Sequence, residues 1–102
     1  MASDLLKRQW AFARRVPLLI QKAHELGYEV TLGDCYRDPR CSYGSKSTRH
    51  RLHLAVDLNL FRDGVYLEET EDHKQLGEFW ESLGGIWGGR FEDGNHYEWP
   101  LR

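Results

Sequence analysis

The segment Arg51–Phe61 constrains this chain more than any other. Leu52, Leu54, Val56, Leu58 and Leu60 hold one parity, while Arg51, His53, Ala55, Asp57 and Asn59 hold the other. Successive side chains of a strand point to opposite faces, so this alternation predicts a strand with one core face and one polar face. A chain of 102 residues, 40% of them hydrophobic, can build one such core, and residues 1–102 are expected to form a single domain. A core this small has a modest stability margin, so a bound metal would contribute to folding as well as to chemistry.

The remaining elements arrange themselves around that strand. From Asp4 to Leu26, apolar residues at Leu5, Leu6, Trp10, Ala13, Val16, Leu19, Ile20, Ala23 and Leu26 follow helical spacing, with Ser3 as N-cap and Gly27 as stop. Pro17 lies inside the pattern and predicts a kink or break near Val16. Tyr28–Cys35 reads as a strand, and residues 36–49 as a loop rich in Gly, Ser, Pro and Arg. Asp63-Gly64 predicts a tight turn, with Val65–Leu67 returning as a hairpin strand. Asp72–Leu83 predicts a second helix with Leu76, Phe79, Trp80 and Leu83 inward, ended by Gly84-Gly85. Ile86–Trp99 reads strand, turn at Asp93-Gly94, strand. The order predicts an α+β fold, a small antiparallel sheet flanked by two helices. His24 and His73 fall on the helices and are expected to face solvent, whereas Trp80, Trp87 and Trp99 belong to the core or its rim.

Charge narrows the function classes. The formal net charge is -2, and the basic residues Arg37, Arg40, Lys46, Arg49 and Arg51 cluster locally. That pattern suits a small acidic substrate and argues against nucleic acid as partner. Met1–Trp10 is broken by Asp4, Lys7 and Arg8, so it reads neither as a secretory signal nor as a membrane span. Synthesis in the cytoplasm is expected, with release by another factor if the substrate lies outside. The only cysteines, Cys35 and Cys41, are then expected as free thiols.

Chemistry concentrates in two short clusters, one holding His50, His53 and Asp57, the other Asp93, His96 and Glu98. Imidazole and carboxylate are the donors zinc prefers, and a catalytic site keeps a fourth position for water. Strand parity places His96 and Glu98 on one face, with Tyr97 and Trp99 on the other. It also puts His53, four residues from Asp57, on the face of Asp57. His50, seven residues away, shares that face only if the chain curls over the sheet edge before Arg51.

The run Thr48-Arg49-His50-Arg51-Leu52-His53-Leu54-Ala55-Val56-Asp57 resembles the Ser-x-His-x-x-Gly-x-Ala-x-Asp signature of the zinc D-alanyl-D-alanine peptidases. Asp93-Gly94-Asn95-His96 resembles the second signature of that family, an acidic residue three before the last metal histidine. The family includes cell-wall carboxypeptidases, D,D-dipeptidases and phage endolysins that cleave L-alanoyl-D-glutamate bonds; aspartate at the acidic position is more like the endolysin branch. Two positions depart from the pattern: Thr48 stands for Ser, and His53 for Gly.

The resemblance implies one Zn2+ per chain held by His50, Asp57 and His96, with Asp93 as general base and Arg37 meeting substrate or the developing oxyanion. His53 and Glu98 are left for support of a ligand or contact with substrate. It further implies a monomeric peptidase acting on the peptidoglycan stem peptide, most like an L-alanoyl-D-glutamate endopeptidase. A D-alanyl-D-alanine carboxypeptidase is the alternative enzyme. A zinc-binding module without catalysis is the alternative from another class, and Asp93 argues against it, since a purely structural metal needs no acid beside it.

Overall fold

In the computed structural model, which describes residues 2–33 and 52–101, the chain opens with α1, Asp4–Glu25. The Ser3 side chain accepts the Leu6 N–H at 3.1 Å, as an N-cap does. No break occurs at Pro17. A proline there removes the N–H that would bond the Ala13 carbonyl, but Ala13 is exposed and water can satisfy it. The core face of α1 differs from the stripe read along the sequence. Phe12, Leu19 and Ala23 are buried, whereas Leu5, Leu6 and Trp10 stay exposed. Residues 10–13 are all apolar, so periodicity could not show which of them turns inward.

Strands β1 (Glu29–Leu32), β2 (Ala55–Arg62) and β3 (Val65–Leu67) follow, then a 3-10 turn at Thr70–His73 and α2 at Lys74–Ser82. Strand β4 (Ile86–Trp87), a second 3-10 turn (Gly88–Phe91) and β5 (His96–Glu98) complete the order. The fold is α+β, with every strand pair antiparallel in the order β1-β2-β5-β4 and β3 added to β2. Leu60 and Phe61 pair with both β1 and β3, so β3 lies on the same edge of β2 as β5, further along. Asp63 and Gly64 take φ values of 53° and 78°, the left-handed pair that a two-residue hairpin requires.

β2 starts later than its pattern suggests. His53 has φ 57°, a left-handed turn that ends any extended run from residue 52, and the strand begins at Ala55. The parity pairing of His53 with Asp57 therefore does not apply. The core face is as expected: Leu54, Val56, Leu58 and Leu60 are buried together with Leu76, Trp80, Tyr97 and Trp99. Trp80 is the hub, with edge-on contacts to Phe12, Tyr97 and Trp99 at 6.1, 6.2 and 5.6 Å between ring centroids. Both helices thus cover one face of the sheet, and the polar parity of β2 looks out from the other.

His73 corrects the expectation of a solvent-facing histidine. It is buried at the end of the first 3-10 turn, and its Nδ1 shares a 2.7 Å hydrogen bond with the Tyr97 hydroxyl. Burial holds its pKa down at about 4, only partly offset by the charge of Asp72. No helix among the described residues is long and apolar enough to cross a membrane.

Candidate active site

Antiparallel pairing of β2 with β5 sets Asp57 opposite His96 and Ala55 opposite Glu98. Asp57 Oδ1 and His96 Nδ1 approach to 3.4 Å, and His96 Nε2 donates to Glu98 Oε1 at 2.8 Å. The shared face of His96 and Glu98, expected from parity, is realised. Gly33, just past β1, closes the other flank. Its N–H donates to the Asp57 carbonyl at 2.8 Å, and a Cβ on Gly33 would stand 3.0 Å from the Asp57 Cβ. Asp57 is therefore held between two neighbouring strands with little room to move.

His96 and Glu98 are both buried. Burial alone lowers the proton affinity of His96, but hydrogen bonds to Asp57 and Glu98, and their charge, outweigh it and raise the pKa to about 9. Such an imidazole is built to face a cation as well as a proton. Below that pKa the ring is a cation with Nδ1 facing Asp57 and Nε2 facing Glu98; a metal ion between Asp57 and His96 would take the place of the Nδ1 proton and meet the freed lone pair. Two ligands each about 2.1 Å from a tetrahedral zinc lie about 3.4 Å apart. The separation of Asp57 and His96 fits that spacing, and Glu98 would take the place of the carboxylate that commonly orients a zinc-bound histidine. His50 lies outside the described residues, as do Arg37, Cys35, Cys41 and the loop at 36–49, and among the described residues no third donor joins the pair.

Asp93 is exposed on a turn fixed from several sides. Its N–H bonds the Gly88 carbonyl at 2.9 Å, and its own carbonyl accepts the His96 N–H at 3.1 Å. Trp87 Nε1 donates to the Gly94 carbonyl at 2.8 Å. Gly88 admits this fold-back, since a Cβ there would fall 2.2 Å from the Asp93 carbonyl oxygen and 2.8 Å from the His96 Cβ. Trp87 in turn lies flat over Gly77 of α2, where a Cβ would meet its ring at 2.0 Å. The base candidate and the ligand candidate thus share one buttressed turn. His53 lies elsewhere, lining a groove of about 550 Å³ against α1 with Leu6, Gln9, Trp10, Ala13 and Val16.

No local pattern singles out the glycines at 33, 77 and 88, whose missing Cβ atoms set the close approaches around the site. Nor does any mark out Asn59. It sits two residues beyond Asp57 on the polar parity, which was the available signal.

The family model described as D-alanyl-D-alanine carboxypeptidase matches residues 43–99, more than half of the sequence. The chain belongs to this family of metallopeptidases, which is zinc-dependent and acts on the peptide of peptidoglycan. Among solved structures it is similar to the Serratia marcescens L-Ala D-Glu endopeptidase ChiX, with a TM-score of 0.64, covering 100% of this chain and 90% of that one. The two sequences are 19% identical, so what they share is the fold. A comparison with curated protein sequences gives no match.

Proposed function

We infer that this chain is a zinc-dependent endopeptidase that hydrolyses the L-alanoyl-D-glutamate bond of the peptidoglycan stem peptide. The observation that carries this reading is the Asp57–His96 pair, set at the separation of two zinc ligands and backed by Glu98. His50, from the family signature, completes the donor set. When bound, zinc supplies a Lewis acid for the scissile carbonyl and lowers the pKa of water.

The residues of the chain do the rest. Asp93 takes the proton from the attacking water and passes it to the leaving amine. Arg37 steadies the charge that develops on the carbonyl oxygen in the transition state. Glu98 keeps the His96 ring in one orientation. Aspartate at position 93 supports the endopeptidase assignment, as does the similarity in fold to an L-Ala D-Glu endopeptidase. On the same reading the protein is endolysin-like and reaches the wall with the help of a separate release factor.

The family description favours a second reading, a D-alanyl-D-alanine carboxypeptidase. Mass analysis of the products released from purified sacculi separates the two. An endopeptidase frees peptides that begin with D-glutamate and leaves L-alanine on the glycan. A carboxypeptidase releases only free D-alanine, and that result would replace the first reading by the second.

A further inference from the structure

The sheet face turned away from the helices carries a second polar group beyond the Asp57–His96 pair. Asn59 is its hub. Asn59 Nδ2 donates to Thr31 Oγ1 at 3.3 Å, and Asn59 Oδ1 accepts from Asn95 Nδ2 at 3.4 Å and from the Tyr66 hydroxyl at 3.5 Å. Thr31 is in register with Asn59, and Tyr66 with Phe61, whose rings lie 5.3 Å apart. Four elements therefore meet there: β1, β2, β3 and the turn before β5. Thr31 and Tyr66 are exposed and Asn59 and Asn95 are half-buried, so the group faces solvent.

Nothing in the packing of the core calls for this cluster, which lies on the face away from both helices. Its partners are long, 3.3 to 3.5 Å, and neutral, the kind of bonds a ligand can replace at little cost. An amide offers two N–H donors and a carbonyl acceptor. The Asn95 main-chain carbonyl is taken by the Leu58 N–H at 2.8 Å, but the second Asn59 N–H and the Asn95 side-chain Oδ1 have no hydrogen-bond partner among the described residues, which leaves one amide donor and one amide acceptor within the cluster. That is the complement of a peptide unit. Asn59 is two residues from Asp57 along β2, about 7 Å at the rise of an antiparallel strand. A peptide whose scissile carbonyl sits at Asp57 and His96 places a neighbouring amide there.

We propose that Asn59, with Asn95, Thr31 and Tyr66, forms a subsite that binds a backbone amide of the stem peptide next to the scissile bond. This rests on the peptidase reading above. It makes Asn59 a substrate-binding residue, whose contribution is to KM.

The test is steady-state kinetics of the zinc-loaded protein on a soluble stem peptide, comparing wild type with Asn59→Leu and Tyr66→Phe. Leucine nearly matches asparagine in shape and suits a strand, and phenylalanine keeps the contact with Phe61. Asn59→Leu is expected to raise KM about fivefold to tenfold, with kcat and zinc content unchanged. Tyr66→Phe should give a smaller rise, and Asn59→Gln should recover part of the loss. An Asn59→Leu variant that folds, turns over and keeps the wild-type KM would overturn the subsite while leaving the peptidase reading intact. A loss confined to kcat, or accompanied by loss of zinc, would also overturn it, placing Asn59 in support of Asp57. A wild type that leaves the peptide whole would overturn both.

Discussion

At the scale of single residues, the proposed mechanism gives holding the metal and moving the proton to different side chains. Asp93→Asn preserves the shape and turn preference of its position but removes the proton acceptor. The expected outcome is unchanged zinc content and melting temperature with turnover lowered by about 10²–10⁴-fold. Early melting with loss of zinc would make Asp93 a residue of the turn alone. The two histidines of the first cluster divide in the same way. His50→Ala should empty the site and His53→Ala should keep the zinc, because His53 sits in a left-handed turn before β2 and lines the α1 groove. Elemental analysis of the two variants decides between them, and the reverse result would exchange their roles. His73 gives a prediction in pH. Its folded pKa of about 4 lies below the ordinary 6.5, so above pH 6.5 it is neutral in both states and costs nothing. As pH falls from 6.5 to 4 only the unfolded chain takes the proton, and up to about 3 kcal/mol of stability is lost. Denaturant midpoints measured across that window should fall less steeply in His73→Asn than in the wild type.

At the scale of elements, β2 was legible because its burial is one-sided, and one-sided burial writes a period of two into the sequence. The Asp63-Gly64 hairpin was legible for a similar reason, since few residues other than glycine, asparagine and aspartate accept left-handed φ. What escaped depends on contacts between distant residues. The burial of His73 comes from Tyr97, 24 positions away, and nothing local to Glu71-Asp72-His73 announces it. The Asp57–His96 pair was legible through the family signature and not through local pattern: parity placed His96 with Glu98, but not Asp57 against His96 across two strands. Gly77 shows how packing can reverse a local preference. Alanine in the middle of α2 would gain about 0.5–1 kcal/mol in helix propensity. Yet its Cβ would meet the Trp87 ring at 2.0 Å, and overpacking of that kind costs about 1–3 kcal/mol. Gly77→Ala is therefore expected to lower the melting temperature, and with Trp87 displaced from Gly94, to slow turnover as well. A rise in melting temperature would show that the Trp87 buttress is soft.

At the scale of the whole molecule, a small core and the proposed metal centre would depend on each other. The Asp57–His96 pair joins β2 to β5, and β5 links β2 to β4, so an ion bound there would staple the sheet at its middle. Removing zinc should lower the melting temperature and returning it should restore both stability and activity. Zinc dependence is tested most directly by the zinc content of the purified protein, set beside its activity on sacculi before and after chelation. One zinc per chain is expected in the wild type, little in His96→Ala or Asp57→Ala, and hydrolysis that stops on chelation and returns with zinc. Full activity in protein stripped of metal, or undiminished zinc in both variants, would contradict this reading.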